Sequence, residues 1–112
     1  MEFKELLEFI DAQDKRITEA FSGKLSTRQE TVLARTVKLT EELGELCEEV
    51  LSFNGYQRQE KLDAYDKKNL SHEFADVIIT TLLLAKSMDV DIRSALAEKI
   101  KKINERQMQQ PL

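Results

Sequence analysis

Proline occurs once and glycine three times in the 112 residues, too few breakers for a turn-rich β fold and well suited to long helices. We therefore expect an all-α protein. The single cysteine, Cys47, excludes an internal disulfide. An excess of basic charge is also missing, since the formal charge is -4 and the pI is near 5.1. Binding to a nucleic acid polymer, which usually needs a basic face, is not expected. Long apolar runs are absent too: the longest, Val77 to Ala85, has about half the length of a membrane-spanning helix. The opening Met1-Glu2-Phe3-Lys4 carries no apolar signal core, so the chain reads as cytoplasmic with no membrane association. At this length one domain, 1–112 with 109–112 as a frayed tail, is expected.

What is present is helical periodicity. Phe3, Leu6, Leu7, Ile10, Ile17 and Phe21 recur at three- and four-residue steps and predict a helix ending near Ser22-Gly23, with the glycine as a left-handed cap. Thr27-Arg28-Gln29-Glu30 has the form of a capping box and opens a second helix that runs to about Phe53, before Asn54-Gly55. Its expected core stripe is Val32, Leu39, Leu43, Leu46 and Val50. The polar stretch from Tyr56 to Lys68 reads as a connection with one short helical turn. A third helix, capped by Asn69 or Ser71 and reaching about Met88, is apolar on nearly every side and should be central. After Asp89-Val90-Asp91, a fourth runs from Ile92 to about Met108. A four-helix bundle completed by oligomerisation is the expected packing.

Two acidic pairs at helical spacing, Glu42-x-x-Glu45 and Glu73-x-x-Asp76, lie inside segments that otherwise favour burial. Residues three apart on a helix are neighbours, so each pair can direct its oxygens at one cation. Buried carboxylates are costly unless paired or bound to a cation. Oxygen-only ligation suits hard cations, Mg²⁺ by default with Mn²⁺ as a substitute, rather than zinc. Asp76, followed by nine uncharged residues, is the acid hardest to explain without metal. Glu42, among Glu41, Glu45, Glu48 and Glu49, is the easiest to read as ordinary surface. A di-iron bundle would need Glu-x-x-His repeats, and the only histidine, His72, has Asn69 three residues before it. We read His72 as a surface residue, and Cys47 and Phe74 as core.

The segments Glu41-Glu42-Leu43-Gly44-Glu45-Leu46, Glu73-Phe74-Ala75-Asp76-Val77-Ile78 and Val90-Asp91-Ile92, with a last helix bearing Lys, Asn and Arg, resemble the all-α nucleoside triphosphate pyrophosphohydrolases of the MazG-like type. The likeness covers about residues 30 to 106. It implies that Glu42, Glu45, Glu73 and Asp76 bind Mg²⁺ and that the metal carries a nucleoside triphosphate. Cleavage between the α- and β-phosphates would then give the monophosphate and pyrophosphate, as in housecleaning of a nucleotide pool. Glu45 or Glu42 is the acid expected to activate water. Lys99, Lys102, Asn104 and Arg106 are the implied substrate contacts, Lys99 and Asn104 fitting the spacing best. Gln107-Met108 stand where some relatives carry an aromatic. Phe21, Phe53, Tyr56, Tyr65 and Phe74 are candidate base-pocket walls. A homodimer or homotetramer is implied. The alternative is a non-catalytic nucleotide- or metal-binding regulator or a dimerisation module.

Overall fold

The computed structural model describes residues 1–24 and 27–109. They form five helices in the order α1 Phe3–Ala20, α2 Arg28–Phe53, α3 Gln59–Asp63, α4 Lys67–Ser87 and α5 Ile92–Gln109. The chain is all-α, as expected, with the four long helices at the expected positions and α3 as the short turn. The end of the expected tail, 110–112, lies outside the described residues.

Local chemistry explains most of the boundaries. Thr27 caps α2, its hydroxyl oxygen accepting from the Glu30 N–H at 3.1 Å and donating to the Glu30 carboxylate at 3.2 Å. At the far end Gly55 takes φ +77°, the left-handed geometry that stops a helix cheaply. Two expected caps are corrected. Helix α4 is capped not by Asn69 or Ser71 but by Asp66, whose carboxylate accepts from the Lys68 N–H at 2.9 Å. After α1 the chain turns through a bond from the Lys24 N–H to the Phe21 carbonyl at 2.8 Å, and Gly23 does not take positive φ. The turn after α4 uses Asp89 at φ 54°. Arg28 braces it from α2, with its Nη2 2.7 Å from Asp89 Oδ2 and its Nε donating to the Ser87 carbonyl at 2.8 Å. Asp91 then caps α5, accepting from the Ser94 N–H and hydroxyl at 3.1 and 2.8 Å.

Helices α2 and α4 pair along most of their length, and α1 lies against α4. The core is Ile10, Leu82 and Leu83, with Leu6, Ile17, Ile79 and Ile92 packed around it. Burying three such side chains contributes on the order of 6 kcal/mol, little for a chain that must order about a hundred residues. Leu33, Val37, Leu51, Ile78, Leu96 and Ile100 remain exposed. The Cα radius of gyration is 17.6 Å, against about 13 Å for a compact chain of this length. Helix α5 packs lengthwise along no other described helix. It joins the rest at its first turn, where Ile92 abuts the core and the Arg93 guanidinium lies 5.0 Å from the Phe3 ring centre.

The expected stripe of α2 is only half right. Val32, Leu39 and Leu46 are half-buried, but Leu43 is 49% and Val50 38% exposed. The two buried residues of α2 are instead charged, Arg35 and Glu42. The covered face of α2 is mixed: Val32, Leu39 and Leu46 share it with Arg35, Glu42 and Glu49, at steps of three and four.

Candidate metal centre

Arg35, Lys38, Glu42, Glu45 and Glu49 follow one another on α2 at steps of three and four, so they share one face. Glu73, Asp76, Thr80 and Leu83 do the same on α4. Where these faces meet, one carboxylate oxygen each from Glu42, Glu73 and Asp76 lies within 4.8 Å of the others. Glu42 is 8% exposed, Glu73 is half-buried and Asp76 is exposed. The expected ranking is thereby inverted: the acid that most resembled surface is the deepest. Asp76 directly precedes the apolar run, at the middle of α4, and is exposed there, while Glu42 lies at the middle of α2 and is buried.

The cluster is short of positive charge and of donors. Lys38 Nζ stands 3.3 Å from Glu41 Oε1 and 3.4 Å from Glu42 Oε1. Among the described residues no ion pair involves Glu45, Glu49, Glu73 or Asp76. Glu42 Oε2, Glu49 Oε2 and Glu73 Oε2 are shielded from solvent and accept no hydrogen bond. Burial raises the Glu73 carboxyl above the usual carboxylate range, reinforced by repulsion from Glu45, Asp76, Glu42 and Glu49. Repulsion from Glu42, with desolvation second, likewise raises Glu45. Orphaned buried carboxylate oxygens that repel one another are what a divalent cation satisfies. Magnesium bonds of about 2.1 Å set ligand oxygens roughly 3 to 4.2 Å apart, so closing on an ion needs a shift of about half an ångström.

Of the four acids expected as ligands, three are brought together and Glu45 lies at their edge, within electrostatic reach. Glu49, named from the sequence only as one of the glutamates crowded around Glu42, has a shielded oxygen with no partner among the described residues and repels Glu73, but lies outside the three-oxygen group. The signal was the 42, 45, 49 spacing. Lys99, Lys102 and Arg106 line a shallow depression on α5 alone, with Glu105 and Gln109, and Asn104 is not on that wall. Within one chain the structure does not bring these residues to the acids. His72 is exposed as expected. Cys47 and Phe74 are corrections: both are exposed, Phe74 at 51%, because the core faces of α2 and α4 point elsewhere.

Over 74 residues the chain is 36% identical to "Uncharacterized protein YpjD" of Bacillus subtilis (strain 168), a match covering 66% of this chain and 65% of that protein's length. No solved structure matches. The family model for the MazG nucleotide pyrophosphohydrolase domain matches residues 27–110, a span that contains both acidic pairs and all of α2 through α5. The chain belongs to the MazG nucleotide pyrophosphohydrolase family.

Proposed function

We propose that the protein is a Mg²⁺-dependent nucleoside triphosphate pyrophosphohydrolase that cleaves between the α- and β-phosphates, releasing the monophosphate and pyrophosphate. The observation that carries this reading is the juxtaposition of Glu42, Glu73 and Asp76, with shielded oxygens of Glu42 and Glu73 that no described residue satisfies. These three acids would hold the ion. Bound there, it would neutralise charge on the triphosphate and acidify water. Glu45 is the expected ligand left outside the three-oxygen group. It lies within electrostatic reach of Glu42 yet adds no oxygen to that group, so we assign it the activation of water. Lys38, already bonded to Glu42, is the nearest side chain able to bind an outgoing phosphate as a point charge.

The protein acts as a homodimer or homotetramer in this proposal. The exposed apolar faces of α2, α4 and α5 and the large radius of gyration support it. Assembly also offers Lys99, Lys102, Asn104 and Arg106 a route to the phosphates, from α5 of a second copy. Housecleaning of a cytoplasmic nucleotide pool is the corresponding role. No described helix is long and apolar enough to cross a membrane.

The test is pyrophosphate release from a panel of canonical and modified nucleotides with Mg²⁺. Release that disappears in Glu45→Gln and Asp76→Asn is the expected result. A wild-type protein that binds nucleotide but liberates no pyrophosphate on prolonged incubation would instead indicate a regulator without turnover.

A further inference from the structure

The α2–α4 seam does not end at the acids. One turn toward the start of α2 and the end of α4, it opens into a cavity of about 580 Å³ bordered by Phe21, Ala34, Arg35, Lys38, Thr80 and Leu83. Its walls are mostly apolar, and its volume falls within the usual range for small-molecule sites. The cavity is continuous with the metal centre in two ways. Lys38 borders it while its Nζ bonds Glu42, and Thr80 follows Asp76 by four residues on the same face of α4. Four residues of helix span about 6 Å, close to the distance between a nucleobase and its 5′-phosphate.

Arg35 is the unusual wall. It is 7% exposed, and its Nη1 is fully engaged, donating to Asp14 Oδ1 at 2.7 Å and to the Leu83 carbonyl at 3.0 Å. Its Nη2 is shielded from water and donates to no described residue. Asp14 already compensates the charge, so the free donors call for a neutral acceptor rather than an anion. A guanidinium has donors only. It therefore pairs well with an oxo oxygen, whereas on adenine it meets only ring nitrogens beside an amine donor that repels it. Phe21, 43% exposed on the cavity rim, offers a ring face on which a planar base can stack.

We infer that this cavity receives the nucleobase and that Arg35 selects an oxo-bearing base, such as guanine, hypoxanthine or uracil, over adenine. The inference rests on the reading of the chain as a nucleotide-binding protein. Lys38 then marks the boundary between base and phosphates, and the triphosphate extends along the seam toward Glu42, Glu73 and Asp76.

The pair inosine and adenosine isolates the claim, because the two differ only along one edge of the base, an oxo group beside N1–H against an amine beside bare N1, and carry no phosphate. Titration of each into ¹⁵N-labelled protein without added metal, read by amide shifts, keeps the acid cluster out of the measurement. The expected result is that inosine perturbs Ala34, Arg35, Thr80 and Leu83 and binds about tenfold or more tighter than adenosine. Arg35→Met should abolish the preference. Since that variant also loses the Asp14 bond, Ala34→Phe serves as the second arm: it fills the cavity from an exposed position and should remove inosine binding while Mg²⁺ still raises the melting temperature. Equal affinity for both nucleosides, shifts confined to other surfaces, or inosine binding unchanged in Ala34→Phe each overturn the inference. So does a change of oligomeric state in Ala34→Phe with no nucleoside effect, which would make the cavity a contact between copies. Pyrophosphate release without the inosine preference sinks the base pocket alone, whereas the preference without any release sinks the hydrolase reading and leaves the pocket standing.

Discussion

The two ends of the α2–α4 seam both bury charge, and they treat it in opposite ways. At the Arg35 end the charge is answered: Asp14 pairs with it at 2.7 Å and the Leu83 carbonyl accepts at 3.0 Å, tying α1, α2 and α4 together. At the Glu42 end it is not. Glu42, Glu73 and Asp76 converge with Lys38 as their one ion-pair partner among the described residues, from which the shielded oxygens of Glu42, Glu49 and Glu73 accept no hydrogen bond. A buried charge met by its counter-ion ties helices together and leaves at most a spare donor, as at Arg35 Nη2, whereas a like-charge cluster whose oxygens no described residue satisfies reads as a place for a cation. Function is written in what folding leaves uncompensated.

The largest effect should come from disarming the uncompensated end. Asp76→Asn or Glu42→Gln is expected to lower pyrophosphate release by roughly a hundredfold or more while the circular dichroism spectrum stays helical. Breaking the compensated end should do the reverse. Asp14→Ala strands the Arg35 charge and is expected to cost about 2 kcal/mol in urea unfolding, below the range for fully buried pairs because Asp14 is partly solvated. Its metal affinity should remain near wild type.

A smaller effect sharpens the contrast on a carboxylate that is satisfied. Asp91 lies below the usual carboxylate range because it accepts from the Ser94 N–H and hydroxyl. A depressed folded-state value means stability that is present above the ordinary carboxylate value and lost as pH falls through the folded one. Ser94→Ala should therefore lower the urea midpoint slightly at neutral pH, and the difference from wild type should shrink in acid. Glu45 and Glu73, raised rather than lowered, carry the opposite sign.

The same contrast explains what could be read from the sequence. Helix positions were legible because they rest on local chemistry: Thr27 and Glu30 form their cap, Gly55 ends α2, and Asp91 opens α5. Both acidic pairs were legible because their spacing alone puts each on one helix face. Burial was less so. Periodicity assumes that apolar residues mark the inside, yet α2 buries Arg35 and Glu42 and leaves Leu43 and Val50 outside. Phe74 and Cys47 were misread for that reason. The relative depth of Glu42 and Asp76 depends on where α2 crosses α4, which no local pattern encodes. The tie from Arg35 to Asp14, 21 residues away, is likewise a product of tertiary packing.

The central claim is that the acids at Glu42, Glu73 and Asp76 wait on a cation, and thermal melting with and without millimolar Mg²⁺, on wild type and Glu73→Gln, tests it most directly. Wild type should gain a few degrees on adding Mg²⁺. Glu73→Gln, relieved of repulsion from Glu45, Asp76, Glu42 and Glu49, should melt at or above wild type without metal and gain nothing from it. An equal Mg²⁺ response in both proteins, or none in either, would contradict the account.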